Sequence, residues 1–167
     1  MIDLNPSIKP YYKNITLIET ALHIFDAATI AVDLETNSLE QLFLSKNALG
    51  DASTALIAES LETNSSLTQL RLWQNDIGNQ GAIKIAEALQ SNTSLTSLSL
   101  WFNKIEGFGA GRLGEALKFN ASLLHLDLSD NKGCGDYGAL MLTNALKTNS
   151  TLTRLSLAGT QISPLGA

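Results

Sequence analysis

The chain lacks a second cysteine. With one in 167 residues it has no disulfide framework, and a reducing compartment, the cytoplasm, is the expected location. It lacks a surplus of positive charge: 11 Lys and Arg stand against 16 Asp and Glu, a net charge of −5. Binding to phosphate backbones requires a basic footprint, so no nucleic-acid partner is expected. It lacks long apolar runs, and none approaches the roughly 20 residues of a spanning helix, so no membrane partner is expected either. The start, Met1-Ile2-Asp3-Leu4-Asn5-Pro6, has no basic segment followed by an apolar one, and no signal peptide is expected. Apolar residues are not lacking. At 44% hydrophobic and 16% charged, the composition argues for a packed core rather than disorder.

What the sequence has is a period. Leu-x-Leu pairs fall at Leu42/Leu44, Leu70/Leu72, Leu98/Leu100, Leu126/Leu128 and Leu155/Leu157, in steps of 28, 28, 28 and 29. Asn47, Asn75, Asn103 and Asn131 keep the same beat, with Thr160 in the last place. A second asparagine series follows at Asn64, Asn92, Asn120 and Asn149, before the Ser/Thr-Leu that opens the next unit. The extra residue of the fourth interval lies between Asn131 and Ala139. The frame also runs backwards: Ile15 and Leu17 match Leu70 and Leu72, Thr20 matches Asn75, and Asn37 matches Asn92, with one residue lost after Asn37. The result is six strand signals and five complete helix signals.

Each unit reads as a short strand, a turn, a helix and a loop. Leucines alternating with Arg71 share one face of a strand. Ile85, Ala86 and Leu89 form one stripe of a helix. A single unit cannot cover both, so stacking builds the core. Helical returns force successive strands parallel. Helices about 10 Å wide against strands roughly 4.8 Å apart curve the stack with strands inside.

The pattern Leu-x-x-Leu-x-Leu-x-x-Asn resembles the leucine-rich repeat. The 28-residue period and the helical second half, as in Gly81-Ala82-Ile83-Lys84-Ile85-Ala86-Glu87-Ala88-Leu89, resemble the ribonuclease-inhibitor-like subfamily. The fold expected is therefore α/β: a leucine-rich-repeat solenoid of about six repeats, its parallel sheet concave and its helices convex. Residues 1–14 are expected to form an N-terminal cap segment. Residues 15–167 form the array, with strands near 15–17, 42–44, 70–72, 98–100, 126–128 and 155–157 and an incomplete last repeat. An incomplete repeat leaves Leu155, Leu157, Ile162 and Leu165 partly bare. Either the native chain continues past them or that end meets a partner. The resemblance also implies that Asn47, Asn75, Asn103 and Asn131 form a buried ladder bonding neighbouring turns, weaker at Thr20 and Thr160.

Several motifs have plainer readings than their names suggest. Asn-x-Ser/Thr occurs at Asn14, Asn64, Asn92, Asn120 and Asn149. Four of these recur with the period and read as polar loop residues rather than glycan acceptors. Gly109-Ala110-Gly111-Arg112-Leu113-Gly114 fits a dinucleotide fingerprint, but it does not directly follow a strand and reads as a small-residue helix face. Cys134, in the one-residue insertion, reads as an exposed or half-buried loop thiol without a basic partner. His23 reads as a turn residue. His23 and His125 lack metal-ligand spacing, and no nucleophile–base set or carboxylate pair appears. No metal, cofactor, small-molecule substrate or catalytic residue is expected.

Residues between the leucines point to the concave surface. They form three columns: Gln41, Gln69, Ser97, His125 and Arg154; then Phe43, Arg71, Ser99, Asp127 and Ser156; then Ser45, Trp73, Trp101, Ser129 and Ala158. Lys46, Gln74, Phe102, Asp130 and Gly159 follow just past the strand. Both tryptophans share one column in adjacent repeats, flanked by Phe43 and Phe102, with Arg71 beside them and Asp127 and Asp130 at an acidic edge. Exposed aromatics with arginine have the composition of an interface hot spot, where truncating a tryptophan costs about 2 kcal/mol or more. Phe43, Arg71, Trp73, Trp101, Phe102, His125, Asp127, Asp130 and Arg154 are the expected partner-binding residues. The function expected is a non-enzymatic module that binds a protein, and the resemblance adds inhibition of an enzyme by covering it. The net negative charge favours a neutral or basic partner. Two alternatives share the repeat. One is a sensing segment of a larger innate-immune-type receptor, or a secreted bacterial effector acting in the host cytoplasm. The other is a GTPase-activating protein resembling the Ran-directed type.

Overall fold

The structure, a computed structural model, describes residues 13–22 and 24–164. Most of the expected cap segment, His23 and Leu165 lie outside the described residues. Strands β1 (Asn14–Thr16), β2 (Gln41–Phe43), β3 (Gln69–Arg71), β4 (Ser97–Ser99), β5 (His125–Asp127) and β6 (Arg154–Ser156) alternate with helices. The helices are α1 (Ile24–Glu35), α2 (Gly50–Leu61), α3 (Asn79–Ser91), α4 (Gly107–Leu117) and α5 (Gly135–Leu146). The strands form one parallel sheet in sequence order. Its register aligns Leu42, Leu70, Leu98, Leu126 and Leu155 across five strands.

Each strand begins one residue before the Leu-x-Leu pair and ends between the two leucines. Pairing does not stop there. The amides of Leu44, Leu72, Leu100 and Leu128 still donate to the next repeat, at 2.9, 2.9, 2.8 and 2.9 Å. Both leucines of these four pairs are at most 1% exposed, and each is worth roughly 1.5–3 kcal/mol of burial. Leu155 and Leu157, on β6 and just after it, are only partly buried against that core.

Just past each strand the chain must bend sharply toward its helix. Lys46, Gln74, Phe102 and Asp130 sit there at φ between 53° and 60°, and Gly159 at 70°. One column of the repeat is therefore held left-handed, a conformation that costs a non-glycine residue about 1–2 kcal/mol. Buried asparagines fix the bend. The Asn75 side chain accepts the Asn47 amide at 2.9 Å and donates to the Leu44 carbonyl at 2.9 Å. Asn103 repeats this one unit on, accepting from the amides of Asn75 and Ile77 and donating to the Leu72 carbonyl. Asn131 accepts from Ile105 and donates to the Leu100 carbonyl. At the N-terminal end Thr20 only donates to the ladder, its amide 2.8 Å from Asn47 Oδ1.

Asn64, Asn92 and Asn120 are not surface loop residues. They are 3%, 3% and 4% exposed and form a second ladder beneath the strand starts. Asn92 Nδ2 donates to the carbonyls of Leu61 and Asn64, and its Oδ1 accepts the amides of Ser94 and Leu95. Asn120 does the same with Leu89, Asn92, Ser122 and Leu123. The amide nitrogen a glycan would need is spent on the backbone at each position.

Helix starts are capped from the preceding repeat. Asp51 Oδ1 accepts the amides of Gly78 and Gly81 at 2.7 and 2.9 Å, and Asn79 Oδ1 accepts those of Glu106 and Gly109. The next place in this column is Gly107, which has no oxygen to offer α5. There Gly135 turns at φ 55° behind Cys134 at the N-cap, the same entry that Leu49 and Gly50 give α2. The glycines of α4 serve packing. A Cβ on Gly114 would lie 2.9 Å from the Met141 carbonyl oxygen, and one on Gly109 would lie 2.7 Å from Asn79 Oδ1.

Replacing Asn75 with Ala strands the Asn47 amide inside the protein and is expected to cost about 2–4 kcal/mol. Thr20→Ala at the ladder's end is expected to cost less than about 1 kcal/mol. Urea unfolding midpoints of the two variants against the parent chain check both values and their order.

Asp136, first in line to cap beyond α5, accepts both the amide and the hydroxyl of Ser163 at 2.7 Å. The hydroxyl and then the amide hold its carboxyl below the usual range. A lowered pKa stabilises the contact above the ordinary carboxylate pKa and releases it as pH falls through the lowered value. An NMR titration is expected to show the Ser163 amide shift moving only in acid, and moving little in Asp136→Asn.

Candidate functional site

The strands project three side-chain columns from the concave face, and the structure sorts them into two neighbouring sites joined by Trp101. Trp73 and Trp101 stack with ring centroids 5.2 Å apart at 39°. Phe102 meets Trp101 edge-on at 6.2 Å. Trp101 is 37% exposed and Phe102 49%, so the rings stand on the core rather than in it. The slots just past β3 and β4 that hold tryptophan hold Ile18, Ser45, Ser129 and Ala158 in the other repeats.

Charged neighbours orient this ridge. The Trp101 indole N–H donates to Asp130 Oδ2 at 2.7 Å, and Lys46 Nζ lies 5.2 Å from the Trp73 ring centroid. Asp130 therefore positions Trp101 as well as bordering it. Phe43 stands in the column next to that of the tryptophans. Its ring carries the Arg71 guanidinium at 4.3 Å, a cation–π contact.

Arg71, Trp73, His125, Asp127 and Arg154 come together around a concave basin of about 360 Å³ floored by Ser97, Ser99 and Ser156. Phe102 and Asp130 line a different hollow. It is a groove of about 840 Å³ along the turn edge, bordered by Glu19, Lys46, Asp76, Lys104, Glu106 and Lys132 among others. The strand columns do not reveal this groove, because turn residues line it, several of them left-handed. Its charges are largely matched: Lys46 pairs with Glu19 at 2.6 Å and Lys104 with Asp76 at 2.8 Å.

Ser97, His125 and Asp127 share the basin, but no hydrogen bond joins them. Asp127 Oδ1 instead accepts the Ser129 amide at 3.0 Å. Among the described residues, no group of three or more His, Cys, Asp or Glu could hold a metal ion, and no helix is long and apolar enough to cross a membrane. What the face offers is rings, guanidiniums and hydroxyls on a rigid sheet, which is the equipment of recognition.

Cys134 departs from expectation. It is 2% exposed, and its Sγ fills the space where a Gly138 Cβ would stand. Burial raises the thiol's pKa. The neutral form is thereby favoured, and the stability it contributes is lost only as pH rises toward that raised value. Alkylation of the native protein by iodoacetamide is expected to run roughly tenfold or more slower than for a free cysteine and to recover in urea. Fast native labelling would contradict this burial.

A family model described as "Leucine Rich repeat" matches residues 63–86, 91–114, 119–142 and 148–167. No curated protein matches the chain. Among solved structures it is similar to one titled leiomodin-1 actin-binding site 2, at 26% identity over 80% of this chain and 79% of that one, with a TM-score of 0.67. It is also similar to the tropomodulin C-terminal domain of Caenorhabditis elegans, with a TM-score of 0.67 over 86% of each chain; at 13% identity that likeness is one of fold. The matched segments keep the period of the sheet and cover more than half of the residues, and the chain belongs to the leucine-rich repeat family.

Proposed function

We propose that this chain is a non-enzymatic module that grips a protein partner on its concave face. The carrying observation is the stacked pair of half-buried Trp73 and exposed Trp101, the latter held by Asp130, in slots that the last two repeats and the second fill with serine or alanine. A ridge of rigid aromatics on a rigid sheet costs little entropy to present and buries much area on contact. The period, with its α-helical returns, supports the ribonuclease-inhibitor-like type of array. Occlusion of a partner's active site is the use of the face which that type suggests. The buried, unpaired Cys134 suits a reducing compartment such as the cytoplasm.

The likeness to leiomodin-1 actin-binding site 2 favours a second, narrower reading, in which the partner is actin. Purified actin is accordingly the first protein to assay, followed by affinity capture with mass spectrometry. The parent chain is expected to bind a partner that Trp73→Ala/Trp101→Ala binds about thirtyfold or more weakly. Circular dichroism confirms that both are folded. Unchanged capture by the folded double variant would make the tryptophans scaffold and move the search to the turn-edge groove.

A further inference from the structure

The concave basin beside the tryptophans sets two arginines against one carboxylate. Lys13, Lys46, Lys84, Lys104 and Lys118 each pair with a carboxylate. Arg71 and Arg154 have no ion-pair partner among the described residues, although both line the basin with Asp127 close by. Asp127 is partly occupied with the Ser129 amide, and the Phe43 ring beneath Arg71 leaves that guanidinium's donors free. The floor is low, because β4 carries only Ser97 and Ser99 between the larger side chains of β3 and β5. Arg71 and Arg154 stand three strands apart, roughly 14 Å across the sheet, and two residues out of register, roughly 7 Å along the strands.

We propose that this basin receives an acidic, extended segment of the partner protein, its carboxylates meeting Arg71 and Arg154 while a neighbouring apolar side chain rests on the Trp73–Trp101 ridge. This deepens the proposed function and rests on it. The arginine fork matches a carboxylate in two parallel hydrogen bonds, which lysine cannot do. Serine hydroxyls supply further donors along the floor. The chain's net charge of −5 points the other way. At physiological salt, however, fields fade over about 8 Å, so the groups lining the basin outweigh charges on the helices. With two arginines against Asp127, two carboxylates come closer to charge balance than two phosphate dianions would.

The test uses the full chain and an array of synthetic peptides, each with a leucine or phenylalanine near two glutamates four residues apart. Matched peptides carry lysine, glutamine or phosphoserine in the glutamate positions. The glutamate peptides are expected to bind best and to weaken steeply with added salt. Arg71→Ala/Arg154→Ala is expected to weaken them roughly tenfold or more and to flatten the salt dependence. Asp127→Asn is expected to tighten them about threefold, a gain that misfolding cannot mimic. No glutamate peptide bound below about 1 mM, a preference for the lysine, glutamine or phosphoserine peptides, or indifference to the arginine variant would overturn the proposal. The two readings separate cleanly. Loss on Trp73→Ala/Trp101→Ala with no loss on the arginine variant keeps the aromatic anchor and removes the acidic ligand. The opposite pattern keeps the acidic ligand and removes the anchor.

Discussion

Backbone groups that leave a buried sheet must find partners where water cannot reach, and this constraint shapes every repeat. A chain that turns from strand to helix five times inside a continuous core would strand many amides and carbonyls. Two asparagine series meet that demand, one at the strand exits and one at the strand entrances. Each side chain ties its own turn to the turn of the unit before it. The same bonds that satisfy the backbone therefore set the spacing and register of the stack.

Rigidity at the turns has a functional meaning. Left-handed residues at Lys46, Gln74, Phe102 and Asp130 are held against their own preference by the ladder beside them. This fixes the direction in which each strand's last side chain leaves the sheet. Trp73 and Trp101 stand two residues beyond β3 and β4, directly before two of these left-handed positions, and their stacking follows from two turns locked in the same shape one strand apart. Asp130, itself in the left-handed column, reaches back to the Trp101 indole. The aromatic ridge is thus an extension of the turn architecture, and preorganised rings lose little freedom on binding.

The period made the architecture readable from residues alone, because leucine spacing reports strand, helix and stacking together. It also placed the concave columns, since alternation in a strand leaves no choice of face. Contacts between side chains were less legible. Phe43 and Phe102 look equivalent beside the tryptophans, yet Phe43 lies one column away and serves Arg71. Asn64, Asn92 and Asn120 look like loop polarity, because spacing cannot tell a buried amide from a solvated one. Cys134 takes the inward slot of Leu49, Ile77 and Ile105, a correspondence that the one-residue insertion before it obscures in the sequence.

The glycines of α4 bear on the opposite side of the molecule from the one they touch. In a stack of this kind, bend per repeat is the difference between helix spacing and strand spacing. Gly114 and Gly109 admit backbone where other residues would hold it off, so they shrink the helix term locally. Less bend means a more open sheet in front of those helices, where β4 and β5 carry the serine floor and Asp127. Side chains on the convex surface thereby tune the width of the concave one. Bulk added at α4 or α5 would pinch the basin from behind without altering any residue that lines it.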